Sequence, residues 1–156
     1  MRALILLLPV LCAGFFAGCG SSHSEKREQP SIYLSPDLKP PVISEHFTLL
    51  PCPAKPKTTL DFEGCAEHRI LRLDKAINER VRVTFSLLRS RRSAAAAGRF
   101  VHGEHAWLMY RRSVCESRAD VYEGGSAAGI VFAECVADKN VAHLKGLRAF
   151  ERDLRH

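Results

Sequence analysis

Along the C-terminal two thirds of this chain, apolar residues recur at three- and four-residue steps, the spacing that stacks side chains on one face of a helix. Ile70, Leu73, Ile77, Val81, Thr84 and Leu88 form one such stripe, with Arg72, Lys75, Glu79 and Arg82 on the opposite face. They predict a helix that begins near Thr58 or Asp61 and runs past Leu88. A second helix is predicted from about Ala95 to Val121, its inner side made of Phe100, Trp107, Tyr110, Val114 and Val121, with Val101, Leu108 and Cys115 beside them. A third, from about Ala127 to Leu154, turns Phe132, Val136, Leu144, Leu147, Phe150 and Leu154 inward. On this pattern Trp107 reads as core.

Two charged residues break the pattern. Helical spacing puts Asp74 inside the first stripe and Arg111 inside the second. A carboxylate and a guanidinium forced toward one core cost far less paired than alone. Asp74 and Arg111 are therefore expected to meet as a structural pair, with Asn78 beside them.

Between the second and third helices stands Tyr122-Glu123-Gly124-Gly125-Ser126. Gly124 suits the left-handed conformation that ends a helix, and Ser126 suits the cap of the next. Cys115 precedes Gly124 by nine residues and Cys135 follows Gly125 by ten. At roughly 1.5 Å per residue the two thiols stand level across a helical hairpin, where a disulfide can close.

The chain opens with Arg2 and an apolar run from Ala3 to Phe16, followed by Ala17-Gly18-Cys19. That run is shorter than the roughly 20 residues a membrane span requires, and with its basic start and small-residue end it marks a secretory signal. Residues 1–18 are assigned to a lipoprotein signal peptide because the cleavage region looks like a bacterial lipobox, with Cys19 as the acylated residue. Phe16 stands where an aliphatic residue is usual, and the alternative is ordinary cleavage near Ala17. Acyl chains on Cys19 would anchor the protein to a membrane, and Gly20 favours outer-membrane retention in a Gram-negative cell.

Seven of the eight prolines lie between Pro30 and Pro56, and none follows. Residues 19–56 are accordingly assigned to a lipidated, disordered Pro/Ser-rich tether and residues 57–156 to one helical domain. With Cys12 lost in the signal and Cys19 acylated, Cys52, Cys65, Cys115 and Cys135 remain. Four cysteines in an exported chain allow three pairings; Cys52–Cys65 and Cys115–Cys135 are favoured because each closes locally around a turn. The expected fold is all-α, a small antiparallel bundle of about three long helices, stapled by disulfides.

Charge adds polarity. The formal net charge is +6, or +5 once Arg2 is removed. Residues 80–99 contain Arg80, Arg82, Arg89, Arg91, Arg92 and Arg99 and no acid, whereas residues 116–138 contain Glu116, Asp120, Glu123, Glu134 and Asp138 against Arg118 alone. In an antiparallel hairpin these stretches mark opposite ends.

The ordered set of residues resembles the LprI-type lysozyme inhibitors, small exported bacterial helical domains. The resemblance rests on Cys65, Asp74-Lys75-Ala76-Ile77-Asn78, Ala106-Trp107-Leu108-Met109-Tyr110-Arg111, Cys115, Tyr122-Glu123-Gly124-Gly125-Ser126, Cys135, Leu144 and Leu147. It departs from the family at Glu104, where Gln is usual, at Arg112, where Asp is usual, and at Asn140-Val141. What the resemblance implies is a protein that binds and occludes a lysozyme-type muramidase. Glu116, Asp120, Tyr122, Glu123, Gly124, Gly125 and Ser126 are the candidate binding residues, since an exposed acidic turn complements a basic target.

No nucleophile adjoins a base and no phosphate loop is present, so neither an enzyme nor a cofactor is expected. His102 and His105 flank Glu104 without the spacing of a metal site, and export argues against nucleic acid. The alternative reading is a structural or scaffolding envelope lipoprotein whose arginine-rich end contacts anionic lipid or another envelope component.

Overall fold

The computed structural model describes residues 37–47 and 49–156. The expected signal peptide, Cys19 and the first part of the expected tether lie outside them. Three helices follow one another: α1 (Thr59–Arg91), α2 (Ala94–Asp120) and α3 (Ser126–Arg155). They form an antiparallel all-α bundle with no strand among the described residues. No helix in this part of the chain is long and apolar enough to cross a membrane.

Local chemistry sets the helix ends. At the start of α1, Thr58 Oγ1 accepts from the Asp61 amide at 3.1 Å, while the Asp61 carboxylate accepts from the amides of Lys57 at 2.9 Å and Thr58 at 3.0 Å. This reciprocal box satisfies amides that the first turn of a helix leaves open. Those two backbone donors, Lys57 first, hold the Asp61 carboxyl below its ordinary value. Ser93 caps α2 by accepting from the Ala96 amide at 3.0 Å.

The core is thin and graded along the bundle. Ala66, Ile70, Ala133, Val136 and Ala137 surround the Cys115–Cys135 disulfide at one end. Ile77, Val81, Leu144 and Leu147 fill the middle, and Leu88, Ala97 and Leu154 close the far end. Cys115 and Cys135 are joined with their Cα atoms 5.5 Å apart, and Cys52 and Cys65 with theirs 4.5 Å apart. With so few large buried side chains, two cross-links contribute substantially to stability.

On α2 the buried face differs from the one the apolar pattern predicts. Tyr110 and Val121 are exposed, and the inner face is made of Ala97, Val101, Glu104, Arg111 and Cys115. The helix turns small and charged groups inward, because these meet partners on α1 and α3, and leaves its larger apolar groups at the rim. Phe150 on α3 is likewise exposed, packing against Phe100 with ring centres 6.2 Å apart. Trp107 is only half-buried, its ring stacked 3.7 Å from that of His143.

The described part of the proline-rich stretch runs against the bundle as a strap (residues 38–47 and 49–51) antiparallel to α1. Asn78 brackets the Ile43 backbone, its Oδ1 accepting from the Ile43 amide at 2.8 Å and its Nδ2 donating to the Ile43 carbonyl at 3.0 Å. Farther along, the Leu50 amide donates to Glu67 Oε2 at 3.2 Å and the Leu50 carbonyl lies 3.2 Å from His68 Nε2. Phe47 packs on the core beside Ala66 and Ile70, and Ile43 on the core beside Ile77 and Val81. The sequence-based boundary at residue 57 thus leaves out a segment that the helices hold in register. Ile43, Glu45 and Phe47 alternate toward the helices, the two-residue period of an extended chain.

Candidate functional site

Beneath the strap lies a buried polar cluster. Arg111 Nη1 donates to Asp74 Oδ1 at 3.0 Å and to Asn140 Oδ1 at 2.8 Å, while Asn140 Nδ2 donates to the same Asp74 oxygen at 2.8 Å. Arg111 Nη2 is bound by Glu45 from the strap. The expected Asp74–Arg111 pair is therefore present. Asn78, however, is turned to the strap backbone and is not part of it. Asn140 and Glu45, which complete the cluster, were missed by the sequence reading, although Asn140 lies on the stripe of Val136 and Leu144.

Burial pushes the Asp74 carboxyl above its ordinary value, and the charge and hydrogen bonds of Arg111 with the Asn140 amide pull it back only in part. Asp74 Oδ2 and Arg111 Nε are buried without a hydrogen-bond partner. Trp107 extends the network: the Arg111 guanidinium lies 5.3 Å from its ring centre, and His143, stacked on the ring, is 2.8 Å from buried Glu104. These groups knit strap, α1, α2 and α3 together from the inside. Asp74, Glu104, Arg111 and Asn140 are buried beyond the reach of a macromolecular partner.

The exposed candidate is the turn between α2 and α3. The Tyr122 amide donates to the Ala119 carbonyl at 2.9 Å, the Glu123 amide to the Asp120 carbonyl at 3.0 Å, and the Gly125 amide to the Tyr122 carbonyl at 2.8 Å. Closing that tight bend puts Glu123 at φ 48° and Gly124 at φ 74°, both left-handed. Gly124 adopts this conformation freely, but a residue with a side chain pays for it in steric contact. Gly125 occupies the cap position of α3 and Ser126 begins the helix; the expected Ser126 cap is not formed, because the bend brings Gly125 into the extended cap conformation one residue earlier.

Val121 is 77% exposed and Tyr122 47% exposed, so an aliphatic and an aromatic side chain stand at the tip with Asp120 and Glu123 next to them. The other acids of α2 and α3 at this end are engaged, Glu116 accepting from Arg112 at 2.7 Å and Arg69 of α1 reaching Glu134 at 3.2 Å and Asp138 at 3.5 Å, while Glu63 of α1 is half-buried against Gly129. The free negative charge narrows to Asp120 and Glu123. The Cys115–Cys135 bond fixes the base of this tip. Among the described residues no three His, Cys, Asp or Glu side chains converge into a metal-holding group.

One family model, described as "Lysozyme inhibitor LprI", matches residues 52–147. The matched region contains both disulfides, Asp74, Arg111, Asn140 and the whole turn. It leaves out the whole strap and the last turns of α3. No curated protein and no solved structure matches the chain.

Proposed function

The chain belongs to the LprI family of lysozyme inhibitors, and on that premise we propose that it is an exported envelope protein, acylated at Cys19, that binds a lysozyme-type muramidase and blocks its cleft without doing chemistry. In a Gram-negative cell the anchor sits in the outer membrane. The observation that carries this reading is the shape of the α2–α3 tip, a hydrogen-bonded turn above the Cys115–Cys135 disulfide with Val121 and Tyr122 exposed between Asp120 and Glu123. Interfaces concentrate their affinity in a few such apolar and aromatic groups surrounded by polar ones.

Muramidase clefts hold a sugar polymer and work through paired carboxyl groups. Tyr122 offers a flat ring to the surface on which sugars stack, and Asp120 with Glu123 steers the tip toward a basic enzyme. The turn's backbone hydrogen bonds and the disulfide at its base order it before docking, and a pre-ordered element loses little entropy on binding.

The test is turbidimetric lysis of cell-wall substrate by a muramidase titrated with the purified protein. Wild type should inhibit, and Glu123→Lys should raise the half-inhibiting concentration by about tenfold or more. Arg118→Gln, on the same helix, should leave potency unchanged. Equal potency of Glu123→Lys and wild type would remove the tip from the mechanism.

A further inference from the structure

The opposite end of the bundle carries charge of the other sign, assembled from parts of the chain that the sequence keeps far apart. There α1 ends, α2 begins and α3 ends, which brings Arg91, Arg92 and Arg99 beside Arg148, Arg152 and Arg155. All six are exposed, and none makes an ion pair within the described residues. Arg91 instead donates to the Arg155 carbonyl at 3.1 Å, tying the two helix ends together. Of the acids nearby, Glu151 is buried against Arg80 at 3.0 Å and Glu79 binds Arg82 at 3.0 Å, which leaves exposed Asp153 as one free carboxylate among the six arginines.

Helix dipoles explain part of this. Arg91, Arg152 and Arg155 sit in the last turns of α1 and α3, where a cation offsets the negative end of the helix. Arg99 lies in the second turn of α2, near the positive end, and Arg148 lies two turns before α3 stops. Those two gain nothing from a dipole and add to the repulsion among their neighbours. Such crowding is relieved by an anionic surface outside the protein.

The strap indicates which surface. It runs antiparallel to α1, with Leu50 beside Glu67 and Ile43 beside Asn78, so that Lys39 lines a groove with Glu79 and Arg82. Followed toward residue 37, the chain heads for the arginine end. From Arg82 to Arg91 is only about 14 Å of helix. A broad end formed by three helix termini, with its cations in two groups, fits a plane of head groups better than a cleft.

We propose that the arginine end is a docking face for anionic phospholipid, and that the strap delivers the membrane anchor to that same end, so that the α2–α3 tip points away from the bilayer. The orientation rests on Cys19 being the anchor, as proposed above. The docking does not.

The experiment uses the chain from residue 19 onward with Cys19→Ser, which keeps every described residue and cannot be acylated. It is co-sedimented with vesicles of phosphatidylcholine alone and with about 30% phosphatidylglycerol. Binding is expected only to the anionic vesicles, falling steeply between about 50 and about 300 mM salt. The triple variant Arg92→Gln, Arg99→Gln, Arg148→Gln should bind at least about tenfold more weakly, since each basic residue at a charged surface is worth roughly fivefold. Circular dichroism checks that the variant remains helical, and its inhibition of a muramidase in solution should be unchanged. Equal binding to both vesicle types, full retention by the triple variant, or binding to soluble polyphosphate but not to vesicles would overturn the proposal. Failure of the muramidase reading would appear separately, as loss of inhibition in the wild-type chain.

Discussion

Arg111 is enclosed by Asp74 and Asn140 on one side and by Glu45 from the strap on the other. One cation compensates two carboxylates, so removing it leaves both beneath the strap with no counter-charge. Arg111→Met should therefore cost about 3–5 kcal/mol in urea-unfolding free energy at neutral pH; a loss under about 1 kcal/mol would show that the cluster is peripheral. The raised Asp74 carboxyl has a definite sign. The folded state holds that proton more tightly than the unfolded state, so its contribution to stability is complete below the ordinary value of 3.8 and is lost as pH rises through the folded value. Across the interval above 3.8, wild type should lose stability relative to Asp74→Asn, and a difference that grows in the other direction would contradict the assignment. At this scale the sequence was legible where a charge interrupted an apolar stripe, as at Asp74 and Arg111. Asn140 sat on such a stripe too, but a neutral amide does not announce a partner. Glu45 was illegible because its surroundings are rich in proline and resemble unstructured chain.

Element by element, the helices were the clearest feature, since long stripes with strong caps leave few alternatives. α2 was placed along the chain but misjudged in rotation. Its inner face carries Glu104 and Arg111 while Tyr110 and Val121 face outward, so the apolar periodicity pointed away from the true core. The strap was missed because it contributes only alternate side chains and borrows its hydrogen bonds from α1. Gly64 reveals how close that contact is. A Cβ there would lie 2.5 Å from the Pro51 carbonyl oxygen and 2.8 Å from that of Leu50, both backbone atoms with little freedom beside the Cys52–Cys65 bond. Gly64→Ala should cost on the order of 1–3 kcal/mol and hasten proteolysis within residues 38–51; unchanged stability and cleavage would mean the strap rides farther from α1. At the other turn, Glu123 holds a left-handed backbone. Glu123→Gly should raise stability by up to about 1 kcal/mol, because glycine takes that conformation without steric cost, while weakening inhibition of the muramidase. A thermal-melt increase accompanied by lost potency would mark the residue as retained for binding; a decrease would contradict the strain.

Across the whole molecule, the two-pole arrangement was only half legible. The arginines of residues 80–99 stood out, but Arg148, Arg152 and Arg155 join them only because α3 returns to the same end. The acidic pole contracted for the complementary reason, as Arg69 of α1 crosses to Glu134 and Asp138 and leaves Asp120 and Glu123 as its free charges. The resulting molecule is directional, with the arginines at one end, a stapled projection at the other and the strap running along α1 between them. Hydrogen exchange on the complex with a muramidase should show protection concentrated in residues 119–126, with the strap and the arginine end unchanged. Protection confined to the strap or the arginine end, with the α2–α3 tip exchanging as it does in the free protein, would contradict it.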